Sequence, residues 1–351
     1  MIRTIICLVF VICLYPKYLF AEESPVHKLR VGFIGPFSGP AQIYGDAPRN
    51  GFEMALENIG RDWIEVYFED DEFLPAKTAL AFQKLVNVDR VDIVICIGST
   101  PCNAVAPLAQ SKKVPLFAWA SDQKVSVGRP YVIRFYPSGT DEGEKAAKEA
   151  VSRGLNSLAV VVSIDDYSDS WRQGFLKSTP TSDIIFSEEV PKDSKDFRST
   201  ILKAISKKAL QFAICLSPGQ SAVFSKQLKE VAPKAEILGC ETLNDQGEVK
   251  AAGGALDHAW FATVSITTEF REKYIKRIGN DSIISGAGIF YDLAPILKEA
   301  FLSKGATILP DGLISEAKRM GAVGTFQIRK KEEDRFFDID LKIQNTKPVV
   351  K

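Results

Sequence analysis

The sequence predicts an α/β protein made of two units, each a parallel sheet with helices on both faces. Strand-like and helix-like segments alternate along the chain. The run VDIVICIG (91–98) is apolar almost without interruption, as parallel strands are when both sheet faces are covered. The alternation starts again after residue 138, and 351 residues exceed the size at which one core usually divides. We therefore expect two closely packed lobes.

The first unit is predicted from segments between residues 28 and 120. Its first helix, RNGFEMALENIG (49–60), places Phe52, Ala55 and Leu56 on one face, as an amphipathic helix does. The predicted strands are KLRVGFIG (28–35), WIEVYFE (63–69), VDIVICIG and VPLFAWA (114–120), and the further helices are PAKTALAFQKLVNV (75–88) and NAVAPLAQSK (103–112).

The second unit repeats the pattern, beginning with the helix DEGEKAAKEAVSRG (141–154), whose first turn is acidic and which stops at Gly154. Two helices follow residue 265, and GTFQIRKKEEDRFFDIDLKIQN (324–345) predicts a hairpin with RKKEED as its turn.

The predicted lobes are residues 22–138 plus 265–330 and residues 139–264 plus 331–351. The strands of the second unit are expected at 157–164, 183–190, 210–217, 235–240 and 258–264.

The first 21 residues have the pattern of a secretory signal peptide. Arg3 precedes an apolar stretch from residue 5 to residue 15, and Ala21 precedes EES. We expect cleavage after Ala21 and a periplasmic protein; a retained membrane anchor is the alternative.

Four cysteines remain after that cleavage: Cys96, Cys102, Cys215 and Cys240. An exported protein can form disulfides, but four cysteines allow three full pairings, and the sequence does not choose among them. Cys96 and Cys215 lie inside apolar runs, which favours buried thiols.

Composition and motifs argue against several classes of function. Basic and acidic residues number 44 each, and no basic patch suggests nucleic acid. Neither G-x-G-x-x-G nor a P-loop motif is present, and two histidines are too few for a typical metal site or a Ser-His dyad, so we expect no cofactor, no metal and no enzyme. The acidic stretches FEDDE (68–72) and SIDDYSD (163–169) fit solvated loops better than acid–base catalysis.

Small-molecule binding fits the residues that follow the strands, where open parallel sheets bind their ligands. Ser99 and Thr100 offer hydroxyls and backbone N–H groups at a helix start, a suitable place for a carboxylate. Asp122 and Glu241 could accept from an ammonium group. Helix capping by Ser99 and Thr100, and ordinary surface roles for the two acids, are equally simple interpretations.

Five stretches in order resemble the extracytoplasmic solute-binding proteins of the leucine/isoleucine/valine type, which feed ABC importers. They are residues 31–59, with the loop SGPAQIYG, 69–86, 95–121, with GSTPCN, 194–205 and 321–328. The resemblance implies two Rossmann-like lobes, the type I periplasmic-binding-protein fold, joined by three crossovers and closing on a ligand. It also implies an ABC permease at the inner membrane as partner.

The resemblance also implies roles for single residues. Ser99 matches the serine that receives the ligand's α-carboxylate, with Thr100 beside it, and Glu241 matches the acid that pairs with the ammonium. Asp122 stands where the family usually has Thr or Ser, and Ser217 where it often has an aromatic residue. The other matched positions are Tyr44 in the first loop, Ala120, whose carbonyl accepts from the ammonium, and Tyr167.

The predicted function is therefore capture of a small amino acid, branched-chain or related, in the cleft between the lobes. The extra carboxylate at Asp122 keeps an alternative open: the same fold acting as a binding protein or sensor for an amide, urea or an aromatic acid.

Overall fold

The computed structural model describes residues 28–346. The predicted signal peptide lies outside them. Strands and helices alternate as expected, and the strands form two sheets. The helices are α1 Ile43–Ile59, α2 Pro75–Asn87, α3 Ser99–Lys112, α4 Gly139–Ser152, α5 Asp166–Ser178, α6 Arg198–Ser206, α7 Ser221–Val231, α8 Gln246–Ala252, α9 Thr268–Ile278 and α10 Ile284–Lys304.

The first sheet has eight strands, in the order β11-β12-β13-β5-β4-β3-β1-β2. Strands β1 to β5 are mutually parallel, whereas β11, β12 and β13 form an antiparallel extension that joins β5 through β13. The bounds are β1 Leu29–Gly35, β2 Ile64–Asp70, β3 Ile93–Ile97, β4 Leu116–Trp119, β5 Val132–Arg134, β11 Arg319–Gly321, β12 Gly324–Lys331 and β13 Asp334–Ile339.

In the described part of the chain the second sheet has six strands, in the order β14-β10-β9-β8-β6-β7, and only β14 is antiparallel to its neighbour. The bounds are β6 Leu158–Ser163, β7 Ile184–Val190, β8 Gln211–Cys215, β9 Glu236–Gly239, β10 Trp260–Val264 and β14 Leu341–Asn345. Both sheets are covered on two faces, because each contributes side chains to two separate apolar clusters.

Within residues 28–346 the chain passes between the sheets three times, at residues 135–138, at residues 265–267 and at Asp340. The third crossing corrects the predicted boundary at residue 330. The hairpin predicted around RKKEED is confirmed as β12 and β13, but β13 stays in the first sheet because Phe336 pairs with Arg134 of β5. Only β14 joins the second sheet.

The cysteines also differ from the expectation of buried thiols. All four are fully buried, but they form two disulfides, Cys96–Cys102 and Cys215–Cys240. The first links β3 to the first turn of α3, and the second links β8 to the residue that follows β9. Each disulfide therefore joins segments at the carboxyl edge of its own sheet.

Candidate functional site

A cavity of about 740 Å³ lies where the carboxyl edges of the two sheets face each other. Its walls are segments that follow strands of both sheets, as the parallel topology requires. Aromatic side chains supply much of the wall: Tyr44, Phe73, Trp119, Tyr136 and Tyr167.

The structure brings most of the predicted site residues together at this cavity. Seven of the eight line it: Tyr44, Ser99, Thr100, Ala120, Tyr167, Ser217 and Glu241. The exception is Asp122. Its carboxylate accepts from the Lys124 N–H at 3.0 Å and from Asn103 Nδ2 at 2.7 Å, and it lies outside the lining. Asp122 therefore caps a short 3-10 turn instead of adding charge to the cavity.

Ser99 and Thr100 occupy the first turn of α3, which begins four residues earlier than the sequence predicted. Their N–H groups have no acceptor within the helix, because a helix leaves its first N–H groups unpaired. Gly98 precedes them with φ +92°, a conformation that favours glycine. The Ser99 hydroxyl oxygen accepts from the N–H groups of Ser121 and Asp122, at 3.0 and 3.1 Å, so it ties α3 to the segment after β4.

Glu241 enters the cavity from the second sheet, two residues after the end of β9. It is 7% exposed, and the Thr263 hydroxyl donates to its carboxylate at 2.7 Å. Burial raises the pKa of Glu241 to about 7, against the opposing effect of the hydrogen bond from the Thr263 hydroxyl. A cation beside this carboxyl would favour its ionised form.

Glu142, in the first turn of α4, lies directly behind Tyr167 and Glu241. Its Oε1 accepts from the Glu241 N–H at 2.8 Å, and the Tyr167 hydroxyl is 2.8 Å from both Oε1 and Oε2. It is 1% exposed, and burial raises its pKa to about 8 despite those hydrogen bonds.

Three polar atoms in the wall from the first sheet are buried and unpaired. None of the Tyr44 hydroxyl, the Trp119 indole N–H and the Tyr136 hydroxyl has a hydrogen-bond partner among residues 28–346. A buried donor without a partner is costly, so such groups at a cavity wall indicate where a ligand's polar atoms could bind.

Ser217 is less available to a ligand than the sequence predicted. Its hydroxyl donates to Asp165 at 2.8 Å, and its N–H donates to Ser163 Oγ at 2.8 Å. Asp165 in turn caps α5 by accepting from the Ser168 N–H at 2.8 Å. The solvated loop expected at SIDDYSD is therefore a hydrogen-bonded cap.

The lobes also touch each other at the cavity. The Asp166 N–H of α5 donates to the Thr100 hydroxyl of α3 at 3.3 Å. Farther along the cleft, the Gln246 N–H of α8 donates to the Ser282 hydroxyl at 3.0 Å. These contacts join the two sheets through helix ends that face each other.

Sequence reasoning missed Trp119, Tyr136 and Glu142. Trp119 is the last residue of the strand β4, directly before Ala120, and Tyr136 follows the short strand β5, which was not predicted. Glu142 shares a helix face with Ala146 and Ala150, which are buried. A carboxylate on an apolar helix face was the signal that could have identified it.

Comparisons with known proteins agree with this architecture. A family model described as Periplasmic binding protein matches residues 28–334. The Leu/Ile/Val-binding protein homolog 6 of Brucella suis biovar 1 (strain 1330) is 25% identical over 292 residues, which are 76% of this chain and 74% of the relative.

Two solved structures show the same fold. A solute-binding protein of an ABC transporter from Rhodopseudomonas palustris BisB5, in complex with 3,4-dihydroxybenzoic acid, has a TM-score of 0.80 at 22% identity; the match covers 91% of this chain and 93% of that one. The second structure is the branched-chain amino acid transporter substrate-binding protein LivJ from Streptococcus pneumoniae str. Canada MDR_19A, in complex with isoleucine. Its TM-score is 0.79 at 19% identity, and the match covers 91% of this chain and 100% of that one.

Proposed function

Because this chain belongs to the periplasmic binding protein family, whose members are solute-binding proteins and not enzymes, we propose that it captures a small amino acid for an ABC importer. The solute is branched-chain or a close relative, and it binds in the cavity between the sheets. The observation that carries this proposal is the pairing of opposite groups across the cavity: unpaired N–H groups at the start of α3 and the buried carboxyl of Glu241.

The α3 end suits a carboxylate. The first-turn N–H groups and the positive end of the helix dipole favour an anion there. Pro101 has no N–H, so the donors that remain are those of Ser99 and Thr100, beside the Thr100 hydroxyl. The disulfide Cys96–Cys102 holds this turn against β3, which keeps the donors in place.

The Glu241 side suits an ammonium group. Among the described residues, the only basic side chain that lines the cavity is Lys192, which is exposed. An α-ammonium would supply the positive charge that Glu241 lacks, and the carbonyl of Ala120 would accept a second hydrogen bond from it. Tyr44 and Tyr167 would then flank the side chain of the solute.

A hydroxylated aromatic acid is the second candidate. The unpaired Tyr44, Trp119 and Tyr136 groups favour it, because they offer donors inside an aromatic wall. Its carboxylate would also occupy the α3 end, whereas Glu241 would have to stay protonated next to an uncharged ring.

Transport follows from hinge closure. A solute that contacts both lobes shifts the population towards the closed form, which then docks on the permease at the inner membrane. We propose a periplasmic location, with the signal peptide removed after Ala21. In the part of the chain that the structure describes, no helix has the length and apolarity needed to cross a bilayer.

The test is calorimetric titration of the chain from Glu22 with L-leucine, L-isoleucine, L-valine, 4-hydroxybenzoate and 3,4-dihydroxybenzoate. We expect an aliphatic amino acid to bind best. Glu241→Gln should weaken it at least tenfold, since a buried charged hydrogen bond is worth about 1.5–3 kcal/mol.

The control is Glu149→Gln, an exposed ion-pair partner of Arg153 on α4, which should bind like the wild type. Tyr44→Ala should also weaken binding, and unchanged affinity would remove Tyr44 from the site. Binding of the benzoates alone, with Glu241→Gln unimpaired, would replace the first candidate by the second.

A further inference from the structure

Glu142 makes hydrogen bonds that the proposed ligand site does not explain. It does not line the cavity, yet it holds two groups that do: the Tyr167 side chain, through its hydroxyl, and Glu241, through its main-chain N–H. It is also the fourth residue of the second lobe's first helix, directly after the first crossing.

We propose that Glu142 is a positioning residue: it fixes Tyr167 and Glu241 against the start of α4, and its proton sets the direction of the hydrogen bond at the Tyr167 hydroxyl. This proposal adds a residue to the proposed function. It rests on that function because it requires Tyr167 and Glu241 to face the solute.

The geometry at the Tyr167 hydroxyl carries the argument. Its oxygen lies 2.8 Å from each carboxyl oxygen of Glu142, but a phenol has one proton to donate. The second short contact gains a donor if Glu142 is itself protonated. Oε1 already accepts from the Glu241 N–H, so Oε2 is the atom that would carry the proton.

The surroundings favour the protonated form. Among residues 28–346, no basic side chain bonds to the Glu142 carboxyl, and a buried carboxylate without a cation is costly. Burial accordingly raises its pKa to about 8. With the proton in place, Oε2 donates to the Tyr167 oxygen and the Tyr167 O–H donates to Oε1, so both contacts have a donor. With the proton lost, the Tyr167 O–H is the one donor for both contacts, while the Tyr167 oxygen still accepts from the Glu241 N–H at 3.2 Å.

The other titratable and charged groups near Glu142 are few. Tyr167 of α5 and Glu241 after β9 face it, and Tyr44 of α1 lies close enough to Tyr167 to affect its pKa. Three further charged groups on the packed elements have other neighbours. Arg172 of α5 pairs with Asp169 and Glu189, Lys177 of α5 acts on Glu144, and Lys342 of β14 has Arg271 as its charged neighbour.

The decisive experiment needs no solute. Tyrosine labelled with ¹³C at Cζ is followed by NMR in the chain from Glu22 between pH 5 and pH 10, and Tyr167→Phe assigns the signal. We expect the Tyr167 signal to shift with a single midpoint near pH 8 and to lose that shift in Glu142→Gln, because glutamine keeps the acceptor and donor but cannot ionise.

The matched control is Asp292→Asn. Asp292 is also a buried carboxyl that accepts two backbone N–H groups, from Ala322 and Val323, but it lies away from the cavity. Its variant should retain the Tyr167 titration. A Tyr167 signal that does not move in the wild type, or that still moves in Glu142→Gln, would overturn the proposal. If Glu142→Gln fails to fold, ¹³Cδ-glutamate signals of the wild type decide: a carboxyl must titrate together with Tyr167.

A second measurement separates this proposal from the proposed function. Glu142→Leu should weaken L-leucine binding about tenfold or more at every pH, because Tyr167 and Glu241 lose their shared acceptor. Asp292→Asn should bind like the wild type. A correct Tyr167 titration without any binding of L-leucine would contradict the proposed solute and leave the role of Glu142 standing; a correct titration with unimpaired binding by Glu142→Leu would overturn the positioning role.

Discussion

Gly98 shows how much the site depends on one backbone position. Its φ of +92° turns the chain from β3 into α3, and the ring of Phe73 packs where a side chain would begin. Phe73 itself has φ +62°, so two unusual backbone conformations meet beside the position proposed for the ligand's carboxylate. Such conformations persist only where the surroundings hold them, and they cluster at functional sites.

A substitution at Gly98 should therefore affect both stability and binding. Gly98→Ala places a Cβ against the Phe73 ring at a positive φ. We expect the free energy of unfolding to fall by about 1–2 kcal/mol because of the positive φ, and by about 1–3 kcal/mol because the Cβ overlaps the ring. Gly128→Ala is the control, because Gly128 has φ +73° but, among the described residues, no atom within 4 Å of a new Cβ. Urea unfolding and L-leucine titration measure both effects. Equal losses in the two variants would show that the Phe73 contact is unimportant.

The residues of the site were predictable to different degrees for identifiable reasons. Tyr44 and Ser99 belong to recognisable stretches, and Glu241 follows a predicted strand, so their place at the cavity could be expected. Asp122 was misplaced because sequence position alone does not reveal that its carboxylate turns back to Lys124. The acidic first turn predicted for this helix explains Glu142 as a charge that favours a helix start. That interpretation does not reveal that Glu142 is buried behind Tyr167.

At the scale of elements, the second lobe depends on close contact between α4 and α5. Gly143 of α4 and Gly174 of α5 each abut the main chain of the other helix, at Trp171 and Thr140. A Cβ at either glycine would overlap backbone atoms, which cannot move as side chains do. Because α4 carries Glu142 and α5 carries Tyr167, this packing also fixes the distance between them.

Gly174→Ala tests that packing. Alanine is the better helix former by about 1 kcal/mol, so stability would rise if the contact were unimportant. We expect the free energy of unfolding instead to fall by about 1–3 kcal/mol, because the new Cβ would overlap the main chain of Thr140. Gly247→Ala in α8 is the control, since its Cβ would meet only the carboxylate of Asp245. Thermal unfolding compares the two, and a stabilised Gly174→Ala would contradict the tight packing.

The elements themselves were largely predictable from periodicity, and the misses were short or edge pieces. The three-residue strand β5 has too few residues for a pattern, and α1 and α3 begin within stretches that read as loops. The sheet membership of β13 depends on long-range pairing with β5, which no local pattern contains.

At the scale of the whole molecule, buried acids make stability depend on pH. Burial raises the pKa of Glu142 from its ordinary 4.5 to about 8, and that of Glu241 to about 7. The folded state thus holds protons that the unfolded state releases. The stability this confers is complete below pH 4.5 and is lost as the pH rises through 8.

Urea unfolding of the solute-free protein at pH 5, 6.5 and 8.5 measures this dependence. We expect the free energy of unfolding to fall with rising pH in the wild type, and to fall less in Glu142→Gln, which has one ionising group fewer. Glu149→Gln should follow the wild type, because its carboxylate is at the surface. Parallel curves for wild type and Glu142→Gln would show that Glu142 is ionised in the folded protein.

The third crossing at Asp340 has a consequence for how the protein is made. The first sheet needs β13, and the second needs β14, so both are completed by the last strands described. A nascent chain can therefore finish neither core until residues 334–345 have been synthesised. Contacts this distant in sequence form slowly. For the proposed periplasmic location, late completion of both cores would keep the new polypeptide unfolded while it crosses the inner membrane.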